Sequence, residues 1–352
     1  MNQVRSGEIP RLARWMAAAC WMWTAGGCAS STVEDPGPVV HALRGEALGT
    51  TWTVKWVGED RTSEVQDAAI AALGEVDAAM STWRDDSDLA RIRAGSGPVE
   101  VRPETAVVVA EALGLAEMTG GAFDPTVQPL VELWGFHGAP RSTLPTPDEV
   151  EQARAGVGWD RVVVAWSPDG RAHVDGGGTA LDLSAIAKGH AVDRVSTAIS
   201  RLGLGDHMVE VGGEVRVHGH RVDGGLWRVG VDRPVVGLAP GRELAAVVAV
   251  TNAGVATSGN YRNAVVIEGR RLGHTLDPRT GYPVSTEVAS ATVVAPDCRT
   301  ADGLATALMV LPIERGVALA EGLPGVEALV LVDGGATARS TTGMEALLEQ
   351  AP

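Results

Sequence analysis

The chain has 352 residues, of which 45% are hydrophobic and 21% are charged, and this composition is typical of a globular protein with one large domain or two modest ones. Its formal net charge of -15 excludes a general nucleic-acid binder, because such proteins present a basic face to the phosphates. If an acidic protein binds a polyphosphate, the repulsion between their negative charges must be offset at the binding site, by a metal ion or by a few hydrogen-bond donors directed at the phosphates.

Residues 1–28 have the pattern of an export signal. Arginines precede the apolar stretch WMAAACWMWTA, which is too short to span a membrane as a helix, and the small residues AGG lead to Cys28. This ending resembles a bacterial lipoprotein box, in which the cysteine is lipidated and becomes the new N-terminus. We therefore expect an exported, membrane-anchored lipoprotein that faces the periplasm or the cell exterior; a plain secretory signal is the alternative. Residues 29–42 contain proline and glycine and are predicted to form a flexible tether.

The cysteines predict a fold without disulfides. Of the three cysteines, Cys20 leaves with the signal and Cys28 carries the lipid, so Cys298 remains alone in the mature chain. An exported protein without disulfides must be stabilised by its hydrophobic core, and this chain is long enough to form one.

Residues 43–345 are predicted to form a single α+β domain, because no second linker and no clear repeat interrupts them. Apolar spacing and capping signals predict helices in the segments SEVQDAAIAALGEVDAAM, ETAVVVAEALGLAEMTGG, TPDEVEQARAG, SAIAKGHAVDRVSTAISRLG and CRTADGLATALMVL. Strands are predicted in ALGTTWTVKWV, in a hairpin of DRVVVAW and RAHVDGGG, and through much of the stretch from residue 207 to residue 295. The helices and strands do not alternate as regular βαβ units, which favours the α+β class.

The predicted helix CRTADGLATALMVL carries a candidate metal site. Asp302 and Thr306 are four residues apart, so their side chains share one helical face. A carboxylate and a hydroxyl supply two hard oxygens, which suit Mg²⁺ or Ca²⁺ rather than zinc. The alternative is a solvated or hydrogen-bonded helix face, which is the more frequent role of such a pair.

Rare residue types mark several candidate functional segments. Only two lysines occur, and one of them, Lys188, lies near the start of a predicted helix, where backbone N–H groups favour anions. The chain has two phenylalanines and two tyrosines, and all four lie in segments rich in glycine, proline and aspartate, at Phe123, Phe136, Tyr261 and Tyr282. Loops of this kind carry function more often than packing. The alternative is that the aromatic side chains fasten these loops to the core.

Nine segments occur together in a recognisable order: LGTTW, MSTWRDDSDLARI, GGAFDPTVQPLVELWGF, LDLSAIAKGHAVDRV, VEVGGEVRVHG, WRVGVDRP, ATSGNYRN, HTLDPRTGYPV and ADGLATALMVL. From about residue 48 to residue 311 the chain resembles the ApbE family of FAD:protein FMN transferases, many of which are lipoproteins. The resemblance implies a Mg²⁺-dependent enzyme, with Ca²⁺ as an alternative ion. Such an enzyme cleaves FAD at the pyrophosphate, transfers FMN to a Thr or Ser hydroxyl of an acceptor protein through a phosphodiester, and releases AMP.

The resemblance also implies a set of site residues. The metal ligands it implies are the backbone carbonyl of Ala185 and the side chains of Asp302 and Thr306. The residues it places at FAD are Leu48, Trp83, Ala122, Phe123, Asp124, Asp182, Lys188, His274 and Thr275. Two of these have local alternatives, since Asp182 is also placed to cap a helix and Asp124 to form a turn with Pro125.

His274 is the candidate general base for the incoming hydroxyl, because histidine titrates near neutral pH. It could instead orient phosphate or hold its loop against Asp277. Four residues depart from the family pattern. They are Trp83 for the usual Tyr, Leu48 for Met, His190 for Tyr and Gln128 for Gly.

The expected partners are FAD, an acceptor flavoprotein subunit with a Ser or Thr flavinylation site, and a membrane reached through the lipid anchor. Two other functions stay open at this point. One is a metal-dependent pyrophosphatase that splits FAD to FMN and AMP with water as the acceptor. The other is a non-catalytic FAD-binding lipoprotein.

Overall fold

A sheet of eight antiparallel strands forms the centre of the fold. The structure, a computed structural model, describes residues 39–261, 264–285 and 287–349. The strands in these ranges, in chain order, are β1 (Val39–Ala47), β2 (Thr50–Gly58), β3 (Val99–Val101), β4 (Val163–Trp166), β5 (Ala172–Asp175), β6 (His207–Val211), β7 (Glu214–His218), β8 (Trp227–Asp232), β9 (Leu244–Val250), β10 (Ala253–Gly259), β11 (Ala264–Ile267), β12 (Arg270–Gly273), β13 (Leu276–Asp277), β14 (Tyr282–Pro283), β15 (Val288–Ala295), β16 (Glu327–Val332), β17 (Thr337–Ser340) and β18 (Leu348–Glu349).

The helices of the described residues, in chain order, are α1 (Thr62–Met80), α2 (Asp88–Ala94), α3 (Pro103–Thr119), α4 (Gln128–Leu133), α5 (Pro147–Arg154), α6 (Ser184–Arg201), α7 (Cys298–Val310), α8 (Ile313–Glu321) and α9 (Met344–Leu347). The central sheet has the strand order β1-β2-β6-β7-β10-β15-β16-β17, and all of its pairs are antiparallel. Three-stranded sheets β18-β9-β8 and β3-β5-β4 and the hairpins β11-β12 and β13-β14 surround it.

The central sheet is covered on both faces. On β15, Val293 packs with the residues of α1, α3, α6 and α7, whereas the next residue, Val294, packs with β8 and β9 of the smaller sheet. On β16, Val330 packs in the core on the helix side, and Leu329 packs in the core beneath the smaller sheet. Alternate residues of a strand point to opposite faces, so two covered faces explain why these antiparallel strands are continuous apolar runs.

Helices α6 and α7 lie unusually close together, and Gly189 makes this approach possible. A Cβ atom at Gly189 would overlap the carbonyl oxygen of Cys298 and lie 2.8 Å from Cβ of Asp302. A second tie comes from Asp193 on α6, whose carboxylate accepts the N–H groups of Cys298 and Arg299 at 3.0 Å each. These two N–H groups belong to the first turn of α7 and have no partner within their own helix.

The structure confirms a single α+β domain of mixed strands and helices. The predicted helices are observed as α1, α3, α5, α6 and α7, while the short helices α2, α4 and α9 were not predicted. Strand β1 begins at Val39, inside the segment 29–42 assigned to the tether. The predicted signal and Cys28 lie outside the described residues. None of the helices in the described ranges combines the length and apolar character needed to cross a membrane.

Candidate active site

A cleft of about 1710 Å³ opens at one end of the central sheet. The turn between β1 and β2 and the turn between β6 and β7 meet there, since the N–H of Gly212 donates to the carbonyl of Thr51 at 3.0 Å. The first half of α6, one face of α7 and the end of β10 complete this part of the wall. All twelve residues that the resemblance places at the metal or at FAD line the cleft: Leu48, Trp83, Ala122, Phe123, Asp124, Asp182, Ala185, Lys188, His274, Thr275, Asp302 and Thr306.

Leu48 and Gly49 form the tip of the β1–β2 hairpin in the left-handed backbone region, with φ of 53° and 70°. Two consecutive residues of positive φ are typical of the tightest hairpin turn, which normally takes asparagine or glycine at the first position. A leucine in this conformation is strained, and strain of this kind concentrates at functional sites. The partly buried Leu48 side chain packs against the helix-side core at the edge of the cleft.

Lys188 places its ammonium at the centre of a group of acceptors. Its Nζ lies 3.1 Å from Oε1 of Glu214 and 3.8 Å from Oδ1 of Asp302, and it donates to the carbonyl of Ser184 at 3.4 Å. Burial alone would lower the pKa of Lys188, but the carboxylates of Asp302 and Glu214 outweigh it and raise that pKa above the ordinary value. Lys188 is therefore a fixed positive charge on the cleft wall.

The two carboxylates beside Lys188 are almost fully buried, with Asp302 at 2% and Glu214 at 5% exposure. Burial raises the pKa of Glu214 to about 7, against the opposing effect of Lys188, and it also raises the pKa of Asp302. The Oδ2 atom of Asp302 accepts the N–H of Gly189 at 2.9 Å. A cation in the cleft would keep both carboxylates ionised, because an opposite charge nearby favours the charged form.

The chemistry of the donor set fits a hard divalent cation. Thr306 lies one helical turn after Asp302, and its Oγ1 is 3.2 Å from Oγ of Ser258 on β10. The N–H of Gly189 is the group that a regular helix pairs with the carbonyl of Ala185, and here it donates to Asp302. Among the described residues no three His, Cys, Asp or Glu side chains converge on one position. A cation here would therefore combine one carboxylate with neutral oxygens, a mixture that Mg²⁺ accepts.

Two of the predicted FAD residues also organise the backbone around the cleft. Oδ1 of Asp182 accepts the N–H of Ser184, the first residue of α6, at 2.8 Å, but the N-cap position is Leu183, so Asp182 supports the start of the helix without being its predicted cap. Oδ1 of Asp124 accepts both the N–H and the hydroxyl of Thr126, at 2.8 and 2.6 Å, which is the predicted turn. The two segments are joined, because the N–H of Asp182 donates to the carbonyl of Pro125 at 2.7 Å. Both side chains still line the cleft.

The aromatic side chains of the cleft differ in exposure. Phe123 and Ala122 are buried, with 3% and 2% of their surface exposed, whereas Trp83 is 71% exposed. Trp83 and His137 lie with their ring centroids 4.0 Å apart and their planes tilted by 40°. An exposed indole at the rim of a cleft offers a stacking surface for a flat ring.

His274 and Thr275 follow β12 and line the cleft together. The N–H of Thr275 donates to Oδ1 of Asn260 at 3.2 Å, and its carbonyl accepts the N–H of Val284 at 3.0 Å. These bonds fix the backbone that carries His274. Asp277 binds Arg279 through both carboxylate oxygens, at 2.8 Å each.

Sequence reasoning missed three residues of this site: Glu214, Ser258 and His137. Glu214 and Ser258 lie in the segments VEVGGEVRVHG and ATSGNYRN, which mark the resemblance, but nothing in their own spacing pointed to Lys188 or Thr306. The one sequence signal that could have indicated the position of Glu214 was the alternation of side chains between the two faces of its strand. Val215 and Val217 face the core beneath the small sheet, so Glu214 and Arg216 must face α6 and α7.

The geometry of the cleft agrees with the result of comparing the sequence with known protein families. Residues 48–330 match the sequence profile of the ApbE family. The chain belongs to the ApbE family. Two relatives are named FAD:protein FMN transferase. The one from Vibrio cholerae is 38% identical over 313 residues, which are 87% of this chain and 90% of the relative. The one from Haemophilus influenzae is 36% identical over 321 residues, or 88% and 92% of the two chains.

Solved structures of ApbE proteins have the same fold. The flavin transferase ApbE from Vibrio cholerae matches with a TM-score of 0.78 and 36% identity, over 88% of this chain and all of the other. The ApbE protein from Thermotoga maritima matches with a TM-score of 0.76 and 32% identity, over 89% of this chain and all of the other. The single α+β domain is therefore the ApbE fold, and this family member is a transferase.

Proposed function

We propose that this protein transfers FMN from FAD to a Ser or Thr hydroxyl of an acceptor protein through a phosphodiester bond and releases AMP, in a Mg²⁺-dependent reaction. The observation that carries the proposal is the convergence of Asp302, Thr306 and Lys188 in a cleft that all twelve predicted site residues line. The volume of about 1710 Å³ leaves room for a dinucleotide and for part of an acceptor. The named relatives support the same activity.

Asp302, Thr306 and the carbonyl of Ala185 would hold the metal ion. When bound, Mg²⁺ (or Ca²⁺) would offset negative charge on the phosphate oxygens during an in-line displacement. Lys188, on the cleft wall in α6, adds a second positive charge that does not depend on the ion, and the positive end of the α6 helix dipole lies on the same wall. These groups favour the pyrophosphate at this end of the cleft.

The rim of the cleft would hold the ring systems of FAD. The exposed Trp83 offers a stacking surface, Leu48, Ala122 and Phe123 supply apolar wall, and Asp124, Asp182 and Thr275 supply polar atoms on segments fixed by hydrogen bonds. His274 is the residue we assign as general base, because it lies on the cleft wall and an imidazole accepts a hydroxyl proton near neutral pH.

The proposal is tested by the intact mass of an acceptor fragment, such as a flavoprotein subunit that carries a Ser or Thr flavinylation site. The fragment is incubated with the protein, FAD and Mg²⁺, and AMP is measured in parallel. Transfer adds one FMN less water to the fragment and releases an equal amount of AMP. AMP without a mass gain for any acceptor tried supports the pyrophosphatase instead. Neither product, with FAD bound, supports a non-catalytic flavin-binding protein.

The membrane anchor is part of the proposal. Cys28, at the end of the predicted signal, would carry the lipid and anchor the domain to a membrane, facing the periplasm or the cell exterior. Replacing Cys28 with Ser should move the protein from the membrane fraction to the soluble fraction. Continued membrane attachment of the Cys28→Ser variant would rule out this anchor.

A further inference from the structure

Glu214 has no role among the residues that the family resemblance assigns, yet it makes the shortest contact of the Lys188 ammonium. Nζ of Lys188 lies 3.1 Å from Oε1 of Glu214, against 3.8 Å from Oδ1 of Asp302. The other oxygen of Glu214, Oε2, is buried and has no hydrogen-bond partner among the described residues. A buried carboxylate with one unused oxygen is costly for folding, so a function explains its presence better than stability does.

The backbone aims Glu214 at this point. Glu214 follows the turn of Gly212 and Gly213, both of which have positive φ, and it is the first residue of β7. Its strand parity turns the side chain away from the small sheet and toward α6 and α7. Glu214 and Asp302 therefore reach the same ammonium from different elements, one from the sheet and one from α7.

The charges of the three side chains suggest what this arrangement does. With Lys188 paired to Asp302 alone, the ammonium would neutralise the only carboxylate among the three proposed metal ligands. With Glu214 present, the ammonium lies nearer to that carboxylate, at 3.1 Å, than to Asp302, at 3.8 Å, and with both carboxylates ionised the three side chains carry one more negative than positive charge. A site with that surplus attracts a divalent cation, whereas a neutral one does not.

We propose that Glu214 is a positioning residue that holds the Lys188 ammonium off the Asp302 carboxylate and thereby keeps Asp302 available to a divalent cation. The inference rests on the proposed function, since it takes Asp302 as the metal ligand. It assigns Glu214 no contact with the ion itself. It predicts that Lys188 and the cation compete for Asp302 and that Glu214 decides the competition in favour of the cation.

The experiment measures binding of Mn²⁺, used as a spectroscopic substitute for Mg²⁺, to the full-length protein in detergent without FAD, by electron paramagnetic resonance with Mg²⁺ competition. Glu214→Gln should weaken binding by about ten-fold or more, which is the usual effect of losing a residue that orients a metal ligand. Adding Lys188→Met to that variant should restore the affinity toward the wild-type value. Lys188→Met alone should bind the ion more tightly than wild type.

A matched control is Glu210→Gln, which removes a carboxylate from the neighbouring strand β6, also on the cleft wall. Oε1 of Glu210 accepts the N–H of Gly213, and among the described residues Glu210 forms no ion pair with a lysine. It should bind Mn²⁺ as wild type does. Equal affinity in Glu214→Gln and wild type would overturn the inference. So would equally weak binding in Glu214→Gln and the double variant, because that result would make Glu214 a ligand.

Two further results keep the test decisive. If Glu214→Gln does not fold, Lys188→Met alone still decides, since unchanged or weaker Mn²⁺ binding in it contradicts the competition. Asp302→Asn separates this inference from the proposed function. If Asp302→Asn binds Mn²⁺ as wild type does, the proposed metal site is wrong and the inference fails with it. If Asp302→Asn loses the ion while Glu214→Gln keeps it, only the role of Glu214 is wrong.

Discussion

The N–H of Gly189 donates to Oδ2 of Asp302 at 2.9 Å. This bond joins α6 and α7, the two helices that carry the residues proposed to bind the metal ion and the phosphates. Because Gly189 has no Cβ, α6 and α7 approach closely enough for Lys188 and Asp302 to meet. The central sheet contributes the β1–β2 and β6–β7 turns to the cleft wall. The packing of α6 against α7 sets the distance between the charged groups of Lys188 and Asp302. The site therefore depends on one glycine as much as on its charged side chains.

Replacing Gly189 with Ala should destabilise the protein and open the helix pair. The added Cβ would overlap the carbonyl of Cys298, and overpacking of this kind costs about 1–3 kcal/mol of unfolding free energy. Gly114→Ala is the matched control, since Gly114 is also inside a helix, α3, and a Cβ there meets no atom within 4 Å. The control should gain about 0.5–1 kcal/mol. Urea denaturation, followed by circular dichroism, measures the unfolding free energy of both variants, which should fall for Gly189→Ala and rise for Gly114→Ala. Equal stability of the two variants would contradict this account of the helix contact.

Asp302→Asn should abolish metal-dependent turnover of FAD while leaving the fold intact, because the amide oxygen can still accept the N–H of Gly189. The loss in AMP release should be about 100-fold or more, since a metal ion supplies several kcal/mol of transition-state stabilisation. Addition of a chelator to the wild-type protein should give the same loss. Asp297→Asn is the control, because Asp297 caps α7 and asparagine caps equally well. Turnover that survives the chelator would remove the metal from the mechanism.

Trp83→Ala should weaken FAD binding by about ten-fold or more with little change in stability. A stacked ring contributes about 1–3 kcal/mol to the binding of a flat base, and Trp83 is 71% exposed, so its removal disturbs little packing. Trp166→Ala provides the comparison, since Trp166 on β4 is 51% exposed and does not line the cleft. Flavin fluorescence titrations give the two dissociation constants. If they are equal, Trp83 does not stack on FAD.

Local patterns predicted the helical part of the scaffold well. The apolar spacing of α6 and α7 specifies these helices, and the four-residue separation of Asp302 and Thr306 places both on the cleft side of α7. The α+β class followed from the irregular order of helices and strands, and the structure confirms it.

Contacts between distant segments could not be predicted in the same way. Glu214 and Lys188 are 26 positions apart and meet only because β7 and α6 pack together. The positive φ of Leu48 is equally hidden, since leucine carries no turn signal and the hairpin imposes the conformation. Residues outside local periodicity were found through the resemblance, and Glu214 through the structure alone.

Acid should destabilise the protein through the buried His207. Its ring is fully buried, bonded to Oγ of Ser196 at 2.7 Å and to the carbonyl of Leu204 at 2.9 Å, and burial lowers its pKa to about 4. An unfolded histidine titrates at about 6.5, so between pH 6.5 and 4 the unfolded state binds more protons and the unfolding free energy falls as the pH falls. The contribution of His207 to that loss should be about 1.5 kcal/mol between pH 6.5 and pH 5.

Urea denaturation at a series of pH values measures this effect. His207→Gln should flatten the dependence below pH 6.5, because the amide keeps hydrogen-bonding capacity and does not titrate. It should not remove the dependence, since burial also lowers the pKa of His190 to about 4. The exposed His220 is the control, and His220→Gln should keep the wild-type slope. Identical slopes in His207→Gln and wild type would show that His207 takes up its proton without unfolding, in which case its burial is not the source of the acid sensitivity.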